Sequence, residues 1–165
     1  MSPTSRFLLL ALFLGAAAAA PAAPVATPVT VGAALAPMDI SDQHGQAGKV
    51  DESVRVLMFS RDMTANKLAK KAFLDKPAGY LDQHHAMYLI DVSGMPGFVT
   101  RNFAIPKMQK YGYRIFLDRE GNLTTALPSR EDLVMVMKLD HLAVESVDFV
   151  SDAAALVRAV EEGAQ

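Results

Sequence analysis

Cysteine is absent from all 165 residues. Thiol–disulfide exchange needs the thiolate sulfur as nucleophile, and Ser or Thr in its place has no comparable redox couple, so thiol-redox catalysis is excluded. The same absence rules out a lipid-anchored lipoprotein and any stabilising disulfide, leaving packing to hold the fold together. Other catalytic signatures are missing too. No Gly-x-Gly-x-x-Gly follows a strand, no serine sits in a nucleophile elbow, and Asp82 and Glu131 have no partner for paired-carboxylate work. Positive charge is not in surplus: 16 basic residues stand against 18 acidic ones, for a net charge of −2. That balance gives no reason to expect nucleic acid or an anionic membrane as a partner.

Long apolar runs are also scarce, and the one present lies at the start. Arg6, the apolar residues 7–15 and the small residues 16–23 have the order of a secretory signal peptide. Cleavage after Ala22 or Ala19 suits it better than cleavage before Pro21. Residues 1–22 are therefore expected to be a signal peptide, 23–34 a disordered Pro/Ala/Val/Thr linker, and 35–163 one domain. No later run approaches the ~18 apolar residues of a membrane helix, so no membrane insertion is expected once the leader is removed.

The domain reads as an ordered series of elements. Residues 36–46 form an extended hairpin that turns at Asp42-Gln-His-Gly45. The nearly continuous apolar run at 54–60 suits a strand covered on both faces. Thr64 is placed to cap a helix whose apolar stripe is Ala65, Leu68, Ala69 and Ala72, with Lys67, Lys70 and Lys71 on the wetter side. Residues 86–92 give the next buried strand. A helical segment from Gly97 carries Phe98, Val99 and Phe103, and Pro106 is expected to break it and start a fresh turn containing Met108. A third strand spans 113–117 and ends in the turn Asp118-Arg-Glu-Gly-Asn122. Strands at 133–139 and 142–150 meet at a two-residue turn, Asp140-His141, and a last helix starts at Ser151 or Asp152 and ends at Gly163. The order is hairpin, β-α-β-α-β, then β-β-α. Crossover helices make the first strands parallel and the final hairpin antiparallel, which is an α/β sandwich.

In that order of elements the chain resembles the peroxiredoxin/TlpA branch of the thioredoxin superfamily. The resemblance rests on Pro37-Met-Asp-Ile-Ser-Asp42-Gln-His-Gly45, on residues 54–73, and on the 133–150 hairpin with its final helix. More narrowly, the chain looks like the cysteine-free YtfJ-type periplasmic proteins, through Val54-Arg-Val-Leu-Met, Gly97-Phe-Val-Thr-Arg101 and Arg114-Ile-Phe-Leu-Asp118, over residues 35–162. This implies a three-layer thioredoxin-like sandwich with a mixed central sheet, in a periplasmic or secreted protein. The branch's reactive cysteine would fall within 62–67, and the proline that usually precedes the hairpin strand is replaced by residues 129–132, so no catalytic role carries over. The Arg61-Asp62-Met63 loop also resembles that of proteins labelled as FAD/FMN-containing dehydrogenases, which implies a flavin-associated oxidoreductase as the alternative.

Ligands of open α/β sheets gather at the carboxyl ends of the parallel strands. The candidate ligand-binding residues are accordingly Arg61, Asp62, Met63, Thr64 and Lys67 after the first strand, and Asp91, Met95 and Pro96 after the second. Arg61 facing Asp91, beside the free N–H groups of a helix start, could hold a small anion or an envelope protein. The simplest structural reading is that Asp62 or Thr64 caps the helix while Arg61 pairs with Asp91. His84-His85, with His44 and Met87, would be the only copper site to consider. Adjacent side chains on an extended chain point apart, so no metal site and no cofactor are expected. Met135 and Met137 alternate with Val134 and Val136 as core residues of a strand. The expected role is a binding module of the cell envelope.

Overall fold

The computed structural model describes residues 27–163. The expected leader at 1–22 lies outside the described residues, as do linker residues 23–26. The elements are β1 (Met38–Ser41), β2 (Ala47–Val50), β3 (Val56–Ser60), α1 (Met63–Phe73), α2 (Tyr80–Gln83), β4 (Ala86–Asp91), α3 (Gly97–Val99), a π-turn (Thr100–Ala104), α4 (Ile105–Met108), β5 (Phe116–Asp118), β6 (Val134–Asp140), β7 (Ala143–Val150) and α5 (Ala153–Gly163).

β3 is the middle of a five-stranded sheet ordered β5-β4-β3-β6-β7. It runs parallel to β4 and antiparallel to β6, β4 is parallel to β5, and β6 and β7 form the antiparallel hairpin. Every residue of β3 is buried because both faces of the sheet are covered. Its side chains alternate between two cores. Val56 and Met58 pack with Ala65, Ala69 and Phe73 of α1 and Leu156 and Val160 of α5. Leu57 and Phe59 pack on the other face with Ile40, Val50 and Leu127, beside Met135 and Met137. The methionine pair is thus core, as its period of two requires. Burying residues such as Leu156 and Val160 contributes about 2 kcal/mol each, which is what holds α5 on the sheet.

The β1–β2 hairpin is fastened to the sheet by polar side chains it buries. Gln43 Nε2 donates to the Tyr113 carbonyl and Gln43 Oε1 accepts from the Ile115 N–H, both at 2.8 Å. Asp42 Oδ1 accepts from the N–H groups of His44 and Gln46, and Oδ2 accepts from Arg114 Nε at 2.9 Å. Gly48 is required here because a Cβ would collide with the Phe116 ring. Burial opposes the charge on Asp42, but the N–H of Gln46, the Arg114 guanidinium and the N–H of His44 outweigh it and hold the carboxyl below its ordinary 3.8.

A folded-state pKa below the unfolded one gives stability that is present above about pH 5 and lost as pH falls through the folded value. Urea unfolding at pH 7, 5 and 3 is expected to show a steeper acid loss for the native chain than for Asp42→Asn. Parallel losses would mean that the Asp42 contacts add nothing.

Four local expectations need correction. The hairpin turn is His141-Leu142, both at positive φ (46° and 68°), because Asp140 still pairs with Ala143. The third strand is shorter and later than residues 113–117, since Gln43 rather than β4 satisfies the backbone around Ile115. The linker is not free from residue 29 onward. Val29 N–H donates to Ala126 O, Gly32 and Val144 are joined at 2.8 Å, and Leu35 N–H donates to Leu142 O, which lays the segment along the start of β7.

The fourth correction concerns Pro106. It does not break the helix: the backbone stays αR through Val99, Thr100, Ala104 and Ile105, giving one composite helix over 97–108. The π-turn makes this possible. Ile105 N–H bonds to Thr100 O, five residues back, so the wider turn ahead of Pro106 leaves room for a ring with no N–H to offer.

Candidate functional site

α1 and the composite helix cover the same face of the sheet, but α1 packs on α5 and leaves a groove on its other side. Met63, Asn66, Lys67 and Lys70 fall at i, i+3, i+4 and i+7, one stripe of α1, and form one wall. The facing wall is Val99, Phe103, Ala104, Lys107 and Met108 of the composite helix. The floor is Tyr88 and Ile90 of β4 with Tyr113 and Ile115 ahead of β5, while Met95 and Tyr111 line it as well. The groove holds about 420 Å³, within the range of small-molecule sites.

The lining is apolar apart from one inner corner and a basic rim. In the corner the Tyr88 hydroxyl lies 2.7 Å from Ser60 Oγ and donates to Asn66 Oδ1 at 2.7 Å, and Ser60 Oγ donates to the same oxygen at 2.8 Å. Burial pushes the Tyr88 phenol far above its ordinary 10.0, so it stays a neutral donor. Burial, with Tyr111 nearby, also raises Tyr113. At the rim, Lys70 Nζ sits 5.3 Å from the Tyr111 ring centre, and Tyr111 stacks on Tyr113 at 5.6 Å. None of Lys67, Lys70 and Lys107 has a carboxylate within ion-pair distance among the described residues.

Of the residues expected from sequence, Met63, Lys67 and Met95 line this groove and the other five do not. Arg61 is committed elsewhere: Nε lies 3.3 Å from Asp91 Oδ2, Nη2 donates to Thr124 O at 2.8 Å, and the guanidinium lies over the Phe59 ring. Asp62, not Thr64, is the helix cap, accepting from Ala65 N–H at 2.8 Å and from Asp132 N–H through its second oxygen. Thr64 is exposed in the first turn. Asp91 accepts from Ser93 N–H, and the Pro96 carbonyl accepts from Val99 and Thr100 to start the composite helix. Arg61, Asp62, Asp91 and Pro96 are therefore tied into a structural clasp, while Met95 between them reaches the groove.

Asp62→Ala is expected to cost about 1 kcal/mol through the lost cap and to leave groove binding unchanged. Equal melting temperatures with weakened ligand binding would return the site to the loop.

The groove-lining residues that the sequence did not single out as candidates include Asn66, Lys70, Tyr88, Phe103, Lys107 and Met108. One signal was available: no Asp or Glu occurs between positions 92 and 117, nor within 63–73. A second recess of about 430 Å³ lies between β1 and the 118–123 turn, but it is more open and presents Asp39, Arg119 and Glu120 together, which selects no ligand class. His84 Nδ1 lies 2.8 Å from Tyr80 O. No group of three or more metal-ligating side chains occurs among the described residues.

A mixed sheet ordered β5-β4-β3-β6-β7, with crossover helices on one face and a terminal β-hairpin plus helix, is the thioredoxin-like fold. Solved structures bear this out. The peroxiredoxin-like protein from Aquifex aeolicus is 14% identical with a TM-score of 0.53, over 84% of this chain and 90% of that one. The pneumococcal exposed lipoprotein thioredoxin from Streptococcus pneumoniae is 12% identical with a TM-score of 0.57, over 77% and 99%. StoA from Bacillus subtilis is 15% identical with a TM-score of 0.52, over 75% and 96%. No family model and no curated protein matches the chain. The likeness to peroxiredoxins and thioredoxins is one of fold, on a chain that has no cysteine.

Proposed function

We propose that this chain is an exported, cysteine-free thioredoxin-fold binding module of the cell envelope. Its ligand is an amphipathic anion: an apolar body carrying one carboxylate or phosphate. The observation that carries this reading is the groove, an apolar trough of about 420 Å³ rimmed by Lys67, Lys70 and Lys107. An apolar chain gains by leaving water along the Met63, Phe103 and Met108 surface. A single negative charge at the rim meets lysines that no carboxylate occupies. The order of Arg6, residues 7–15 and residues 16–23 supports export.

A flavin fits this site poorly. Among the described residues no Gly-x-Gly-x-x-Gly follows a strand, and the stacked rings at the rim, Tyr111 and Tyr113, are already stacked on each other.

Calorimetric titration with oleate, with oleyl alcohol as control, tests the reading. One-to-one binding of oleate, at least tenfold tighter than the alcohol and weakened by Lys67→Glu or Lys107→Glu, is expected. Equal affinity for both compounds, or a yellow protein with a flavin spectrum, would overturn it.

A further inference from the structure

The composite helix carries two aromatic side chains that nothing in the described chain covers. Phe98 is 66% exposed and Phe103 62% exposed, with ring centres 5.9 Å apart at a 66° tilt. Residues five apart point in different directions on an α-helix, and here they meet because the intervening turn is π. Pro106 therefore shapes a surface as well as a helix. Val99 and, across the groove, Met63 are exposed beside the pair.

The charge around these side chains is of one sign. Arg101, Lys107 and Lys110 lie on or just beyond the composite helix, and Lys67 and Lys70 lie on the groove stripe of α1. None of the five is within ion-pair distance of a carboxylate among the described residues. The chain as a whole carries a net charge of −2, so its acidic residues are gathered elsewhere and the overall balance conceals a basic face. Apolar rings set among unpaired cations are the pattern of a surface that sits at an anionic membrane interface, with rings at headgroup depth and cations on lipid phosphates.

We propose that this face docks on an anionic lipid bilayer, placing the groove mouth against the membrane that supplies its ligand. The second clause rests on the groove reading above, whereas the docking does not. A bilayer is favoured over an acidic protein partner because both rings stand well out of the surface, and lipid accepts such rings without a matching pocket. Each cation near an anionic surface is worth about fivefold in partition, so the effect is large and salt-sensitive.

The test is co-sedimentation of the exported protein with vesicles of phosphatidylcholine alone and of equal phosphatidylcholine and phosphatidylglycerol, at low and high salt. Binding to the anionic vesicles only, reduced by salt, is expected. Phe98→Ser with Phe103→Ser should weaken it at least tenfold, and so should Arg101→Glu with Lys110→Glu. Arg101 and Lys110 do not line the groove, so that second pair should leave oleate binding unchanged. Several results would overturn the docking: no sedimentation, equal sedimentation on neutral vesicles, insensitivity to both double variants, or a native dimer that the phenylalanine variant splits. Oleate binding without vesicle binding sinks the docking alone, and vesicle binding without oleate binding sinks the groove reading alone.

Discussion

Ala104→Trp is expected to abolish oleate binding while leaving the fold intact. Ala104 lies in the π-turn and faces the groove from the composite-helix wall, only half-buried, so an indole there projects into open space and not into the packed core. It would take up room that the ligand's apolar body needs. Displacing about four methylenes from the trough costs about 3 kcal/mol, a loss of more than a hundredfold in affinity. The melting temperature of the unliganded variant should equal or exceed that of the native chain, because the new ring covers the half-buried Met108. Calorimetry and a thermal melt together separate the outcomes. Unchanged affinity would show that the ligand binds outside the trough.

Asp118→Ala is expected to be the most destabilising single change at the carboxyl end of the sheet, with groove chemistry untouched. Asp118 is 1% exposed at the end of β5. One oxygen accepts from Gly121 N–H, and the other accepts from both the N–H and the hydroxyl of Thr124, all at 2.8 Å. Thr124 is itself fully buried, and its carbonyl receives Arg61. Removing the carboxylate leaves buried donors without an acceptor and loosens the loop that carries Leu127 into the second core. The cost is about 3 kcal/mol, which lowers the melting temperature by on the order of 10 °C. A fall of only a degree or two would mean that water or a rearranged loop replaces those bonds. The same aspartate opens the Asp118-Arg-Glu-Gly-Asn122 stretch, whose job is thus to close a turn.

Much of the architecture was legible because it rests on short, nearly continuous apolar runs. The continuous runs at β3 and β4 announced parallel strands covered on both faces, and the period of two through Met135 and Met137 announced β6. What escaped reading was local geometry set by tertiary partners. Asp140 pairs with Ala143, which moves the turn onto His141 and Leu142, residues that seldom adopt positive φ. Residues 29–35 look featureless in sequence, yet they find backbone partners at Ala126 and at the start of β7. Pro106 reads as a helix breaker, and only the π-turn before it reconciles the ring with a continuous helix.

The site was legible in part for a related reason. Fold analogy points to the strand ends, and Met63, Lys67 and Met95 do reach the groove from there. Arg61, Asp62 and Asp91 form the clasp that the simplest structural reading foresaw. The groove itself is built from the wetter stripe of α1 and from a helix whose continuity the proline concealed. Neither wall could be placed before the other was known. The absence of acidic residues along both walls was readable, but only their meeting in space gives that absence a chemical sense.

The most direct test is an NMR titration of ¹⁵N-labelled protein with oleate. Shifts that saturate at one equivalent and cluster at Met63, Lys67, Ile90, Phe103, Lys107 and Met108 are predicted, with Arg61, Asp62 and Asp91 nearly still. Shifts confined to Arg61, Asp62 and Asp91, or none at any residue, would contradict the account.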